Sequence, residues 1–193
     1  MLHLFLTVTA TAIGFVCFEA PETALELFGD SGKKKTTSSL PSQLLCCRLV
    51  GANTMHVGMA GLCLFFLNTS VHEAIGWSHI VWFVENARAI LNGYESKVGI
   101  PSTGRWFWLG ISIYIMYGCL AESNTYNIVD WVIRVAYILD SIGGFLSIFN
   151  PNAAAALICG NKDPSNHAIA WTRVYGVTNL IMCIVMVTLA SWR

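Results

Sequence analysis

Hydrophobic positions along the chain gather into six runs, 2–18, 44–67, 74–92, 106–121, 128–149 and 168–192, divided by polar breaks. Crossing the hydrocarbon of a bilayer takes about 20 predominantly apolar residues, within a range of about 17–25. The runs 44–67, 128–149 and 168–192 reach that length with some tilt, and 2–18 and 106–121 sit at its short edge. The pattern predicts an all-α polytopic membrane protein of about six transmembrane helices, one transmembrane domain over 1–193, with no soluble module.

Only the first break is long. Pro21 opens it, and Glu22 to Phe28 reads as a short helix in the interface plane, its Ala24, Leu25, Leu27 and Phe28 set against Glu22 and Glu26. Gly29 ends that helix, and the stretch to Ser42 is a polar turn region carrying Lys33, Lys34 and Lys35.

The first and last helix pairs share a pattern. Thr11-x-x-Gly14-Phe15 followed by Pro21 matches Ser141-x-x-Gly144-Phe145 followed by Pro151, and Ala24 and Leu27 continue into Ala154 and Leu157. Farther on, Arg48-x-x-Gly51 matches Arg173-x-x-Gly176. Both pairs leave one side of the membrane and return to it. They predict a parallel internal repeat of units 2–67 and 128–192 about an axis along the membrane normal. A second interfacial helix follows from it, over Asn152 to Cys159.

Charge orients this arrangement. The first, third and fifth breaks, with the helix ends beside them, hold Lys33, Lys34, Lys35, Arg48, Arg88, Lys97, Arg105, Lys162 and Arg173, whereas the second and fourth hold no basic residue. Arg134 and Arg193 alone lie toward the other side. Short basic loops stay on the cis face of insertion, so the alternation predicts both termini on the side opposite the basic loops. Composition agrees, with 11% charged residues against about 25% in a soluble domain. A formal net charge of +0 lacks the basic excess of a nucleic-acid binder. The apolar run starting at Leu2 has its lysines after it, which predicts an uncleaved first span. Trp77, Trp131 and Trp192 near one face, with Trp106, Trp108 and Trp171 near the other, suit interface anchoring.

Ionisable residues inside a membrane are costly and point to function. Asp140 falls mid-span in the fifth run, about 18 Å from the near face by helical rise, and His56 falls at a similar depth in the second. The two are expected to face each other as a polar pair, able to shuttle a proton, bind a polar ligand or pin the bundle. Asp130 and Arg134, four apart, are expected to pair on one helix face. Arg48, Arg88 and Arg173 with the single carboxylate of Glu85 form a candidate lipid-binding pocket for an anionic phospholipid such as cardiolipin. Gly51, Thr54, Gly58 and Gly61 share one face of the second span, which suits close helix packing. The seven cysteines read as small buried hydrophobes. No metal-ligand spacing, phosphate loop or nucleophile elbow appears, so no catalytic residue and no metal site is expected. Haem is not expected either, because its axial ligands must lie at one depth and His79 reads as nearer the membrane face than His56.

The succession of a first span, a Pro-led interfacial helix ending in Gly29 and a span opening Arg48-x-x-Gly51 resembles small DoxX-like bundles and the ergosterol-synthesis scaffold proteins over residues 2–92. The resemblance implies an organising membrane protein with no chemistry of its own. This chain departs from it in its six spans rather than four and its long Lys-bearing loop, and no functional residue is carried over.

These features lead to the expectation of a non-catalytic accessory subunit of a larger membrane complex, packed against other membrane subunits and binding anionic lipid. Its expected setting is the mitochondrial inner membrane, in a respiratory or ATP-synthase assembly. The alternatives are a small transporter or channel using Asp140 and His56, and a membrane enzyme acting on a lipid or quinone. A packed interior favours the subunit; an apolar pocket with convergent polar groups favours the enzyme.

Overall fold

The computed structural model describes residues 2–27, 40–95, 101–121 and 126–192. Every regular element among them is an α-helix. In chain order these are α1 (Leu2–Glu19), α2 (Pro21–Leu27), α3 (Leu40–Phe65), α4 (Val71–Ser78), α5 (Ile80–Leu91), α6 (Thr103–Leu120), α7 (Tyr126–Phe149), α8 (Pro151–Cys159) and α9 (Asn166–Leu189). Each of the six apolar runs is helical. Lys33, Lys34, Lys35 and Lys97 lie outside the described residues.

Asn127–Phe149 and Asn166–Leu189 are long and apolar enough to cross a membrane, and a third crossing is added if the bent pair α1–α2, turned through 117°, counts as one. Among the described residues, length and composition by themselves thus mark two or three crossings, for local reasons. The second run carries Arg48, Asn53, Thr54 and His56 in its helix. The third divides at His79 into α4 and α5, of 8 and 12 residues. The fourth, α6, holds Arg105 and the amphipathic rings of Trp106, Trp108, Tyr114 and Tyr117.

The division at His79 has a visible cause. The Ile75 carbonyl accepts from the His79 backbone N–H at 3.2 Å, from Ser78 Oγ at 2.8 Å and from His79 Nδ1 at 2.8 Å. Side chains competing for a backbone acceptor disturb a helix without breaking it. The ladder resumes at once, Phe83 N–H donating to the His79 carbonyl at 2.9 Å. At the far end of α4, Ser70 and Glu73 form a reciprocal capping box.

The two ends of the chain run through the same element order, a long helix, a proline-led short helix and a second long helix. In the second set, Asn150 caps α8 by accepting from Ala153 N–H at 3.2 Å, Pro151 occupies its first turn and Gly160 ends it in the left-handed region at φ 63°. Matching glycines make matching contacts. A Cβ on Gly51 would lie 2.7 Å from the Gly14 carbonyl oxygen, and one on Gly176 would lie 2.7 Å from that of Gly144. Glycine is what lets these backbones touch. Where α3 and α9 meet, Asn53 Nδ2 donates to Thr178 Oγ1 at 3.3 Å, and the two residues stand 125 apart, the spacing of Gly51 from Gly176.

The α1–α3 and α7–α9 pairs thus join through α3 and α9, and α4, α5 and α6 pack beside them. Ile75, Ile115, Ile133, Met182 and Met186 form the main buried cluster. Polar residues are also buried, with Asn53, His56, Ser78 and Asn179 at 0% exposure, while Phe5, Phe15, Ile142, Phe145 and Ile184 are exposed. All seven cysteines are buried.

Candidate functional site

Three of the apolar runs bring one polar side chain each to a common point. His56 on α3, His79 at the α4–α5 junction and Tyr137 on α7 are buried, at 0%, 2% and 5% exposure. Tyr137 Oη lies 3.1 Å from His56 Nε2 and 2.8 Å from His79 Nε2, and the imidazole centroids are 4.7 Å apart. A carbonyl only accepts, so the 2.8 Å contact with Ile75 places a proton on His79 Nδ1. In the neutral ring Nε2 is then the acceptor, and the Tyr137 hydroxyl donates to it. With its one proton so placed, Tyr137 accepts from His56 Nε2–H. Ser78 Oγ stands a further 3.4 Å from that nitrogen, and His56 Nδ1 is buried without a partner.

The chemistry of this line follows from its direction. A proton arriving at His56 Nδ1 releases the Nε2 proton to Tyr137, which passes its own to His79 Nε2. Stability depends on the same groups. Tyr137→Phe removes the only donor to His79 Nε2 among the described residues and leaves His56 the longer Ser78 contact. We expect it to lower stability by about 1–3 kcal/mol. Tyr117→Phe, at a ring 75% exposed, should stay within about 0.5 kcal/mol. Thermal unfolding of both variants in one detergent checks this.

His79 and Tyr137 also line a cavity of about 300 Å³, bounded by α3, α5, α6, α7, α8 and α9. Its lining recurs at helical spacing: His79, Trp82 and Asn86 along α5, Arg105, Trp108 and Ser112 along α6, and Ala136, Asp140 and Gly143 along α7. Glycine helps to make the space, since a Cβ on Gly143 or Gly104 would meet nothing within 4 Å. Toward the Arg105 end, Arg105 Nε donates to Glu95 Oε1 at 2.6 Å and Nη1 to Asn86 Oδ1 at 3.4 Å, with Glu85 Oε1 at 4.0 Å. Asn86 in turn donates to the Trp82 carbonyl at 2.7 Å, and Trp82 Nε1 to Met182 Sδ at 3.2 Å.

The expected His56–Asp140 pair is not made. His56 bonds Tyr137 and Ser78, while Asp140, one turn along α7 from Tyr137, accepts from Asn179 Nδ2 at 2.7 Å. His79 also lies level with His56, contrary to the depths expected from the apolar runs. α3 continues nine residues beyond His56 to Phe65, and α4 begins eight residues before His79 at Val71, so both lie about 12–14 Å from their helix ends. Asp130 pairs with His72 Nε2 at 2.9 Å rather than with Arg134, which donates to the Ala190 carbonyl at 2.8 Å. Four residues along a helix permits a pair, but a partner on a neighbouring element was nearer for each.

The residues anticipated as a lipid pocket are brought together in part. Arg88 is tied to Glu19 at 2.8 Å and sits over the Phe18 ring at 5.3 Å. Arg48 and Arg88 act on buried Glu85, together with Arg105, and Arg173 is exposed on α9. The Arg105–Glu95 pair escaped the sequence reading because its residues flank a connection, where no helical spacing applies. Among the described residues no group of His, Cys, Asp and Glu is spaced to hold a metal ion. No protein-family model, curated protein or solved structure matches the chain.

Proposed function

We propose that this protein is a membrane-embedded binder of a small amphipathic molecule, held in the α5–α6–α7–α9 cavity with its polar end against Tyr137, His79 and Asp140. The cavity carries the reading. It is a cleft half open to the outside, with about 300 Å³ of space between the helices, room that helix packing alone does not require. That volume is the lower end of ligand pockets, which are mostly apolar with a few convergent polar groups. A lipid- or quinone-type ligand therefore fits the cleft better than helix packing alone, and no bond-making step is assigned. Membership of a larger complex is compatible with it.

A bilayer setting with six crossings belongs to the same proposal: α1, α3, α4 with α5, α6, α7 and α9. Together α4 and α5 cover residues 71–91, roughly 30 Å of helix and enough for the hydrocarbon. Buried Asn53, His56 and Asn179 beneath exposed Phe15, Ile142 and Ile184 support it, since water would favour the reverse.

The test is purification of the full chain in mild detergent, followed by native mass spectrometry and solvent extraction. A small molecule in near-stoichiometric amount is expected with the wild type. Gly143→Leu, whose first side-chain atom enters open space, should fill the cavity and lose that molecule while unfolding no earlier. Wild type and variant carrying the same bulk lipid and nothing else would overturn the proposal.

A further inference from the structure

We infer that the molecule taken by this cavity is a lipophilic cation, an amphiphile whose protonated or quaternary nitrogen sits against Asp140. This rests on the cavity being a ligand site. Three charged side chains line it, Arg105, Glu95 and Asp140. Arg105 is already engaged, at 2.6 Å from Glu95 and 4.0 Å from Glu85. Asp140 has only uncharged partners, Asn179 Nδ2 at 2.7 Å and Cys183 Sγ at 3.8 Å, and both meet Oδ2. Its other oxygen, on the cavity-lining residue, makes no hydrogen bond to a described residue. A half-buried carboxylate poorly reached by water is relieved either by taking up a proton or by a cation that faces it.

The walls suit the same class of ligand. Trp82, Trp108, Tyr137 and Tyr175 line the cavity with Asp140. Aromatic faces attract ammonium groups within about 6 Å, and aromatic cages are a standard device for holding quaternary nitrogen. Trp82 is held in place by its bond to Met182 at 3.2 Å. The remaining aliphatic lining, such as Ile111 and Ile115, takes an apolar body. An anion would meet Asp140 as a like charge, and a neutral ligand would leave it without a counterion.

Three probes separate these cases on the full chain in a non-ionic detergent: phenyltrimethylammonium, its uncharged carbon isostere tert-butylbenzene, and benzoate. Binding is read by tryptophan fluorescence at free concentrations corrected for micelle partition. The cation is expected to bind at least about tenfold tighter than the isostere, a gap of about 1.4 kcal/mol, and benzoate not at all. Asp140→Asn, which can keep a hydrogen bond to Asn179, should abolish that gap, and Gly143→Leu should abolish binding of both ligands. Equal binding of cation and isostere to the wild type overturns the cationic class and leaves the cavity proposal standing. That comparison decides the charge even if Asp140→Asn fails to fold. Binding of no probe overturns the cationic class, and if the wild type also purifies without a small molecule, the cavity reading falls with it.

Discussion

Arg105→Met is expected to destabilise the protein by about 3–5 kcal/mol, the largest loss from any single side chain in the site. Methionine preserves much of the bulk and removes the charge. Glu95, 6% exposed, then loses its 2.6 Å partner, and Glu85, 3% exposed, loses the cation at 4.0 Å. A buried ion pair adds little net stability when intact, because desolvation offsets its attraction. Breaking it from one side leaves an uncompensated carboxylate, and that is the expensive state. Glu95→Gln in the Arg105→Met background should therefore recover part of the loss, with a coupling of about 1–3 kcal/mol in the double-mutant cycle. Thermal unfolding of the four proteins at one pH measures it. Additive losses would show that Arg105 and Glu95 do not depend on each other.

The second large effect lies away from the site. Gly51→Leu is expected to prevent the protein from accumulating folded, and Gly51→Ala to cost about 1–3 kcal/mol as overpacking. The added Cβ would stand 2.5 Å from the Phe18 nitrogen and 2.7 Å from the Gly14 oxygen. Both are backbone atoms, so no rotamer change relieves the contact and α1 must move from α3. Alanine gains about 1 kcal/mol of helix propensity over glycine, which offsets only part of this. Gly110→Ala supplies the opposite sign, since its Cβ meets nothing within 4 Å. There the propensity gain stands alone, and stability should rise by up to about 1 kcal/mol. A shared sign at positions 51 and 110 would refute the packing argument.

Helix-forming runs were legible because their signals are local. Apolar length located the long helices, and the pattern after Pro21, carried to Pro151, located α8. The Asn150 cap, Pro151 and Gly160 show why that short helix starts and stops where it does. Depth was less legible, since it depends on where each helix ends. His79 was set apart from His56 by a boundary misplaced at each of two helices, an error of about one helical turn that separated rings 4.7 Å apart.

Asp140 and His56 were visible as polar residues within apolar runs, but Tyr137 was not. A tyrosine in such a run reads as one more aromatic, and its role appears only when two imidazoles meet it. Glu95 and Arg105 flank a connection and carried no periodic signal. The cavity itself had none at all, being made by the small side chains of Ala136 and Gly143 on one helix and by the angle at which other helices pass them.

By itself, therefore, the order of residues determined that the chain is helical, where its long helices lie, and that matching glycines recur at its two ends. These properties depend on neighbours three or four positions away, or on composition summed over a run. Tertiary structure alone decided that His56 meets Tyr137 and His79, that Arg105 serves Glu95, and that Asp140 lines the cavity with only uncharged partners among the described residues. Those outcomes depend on which helix faces meet and at what angle, which is settled by packing among segments up to 126 residues apart.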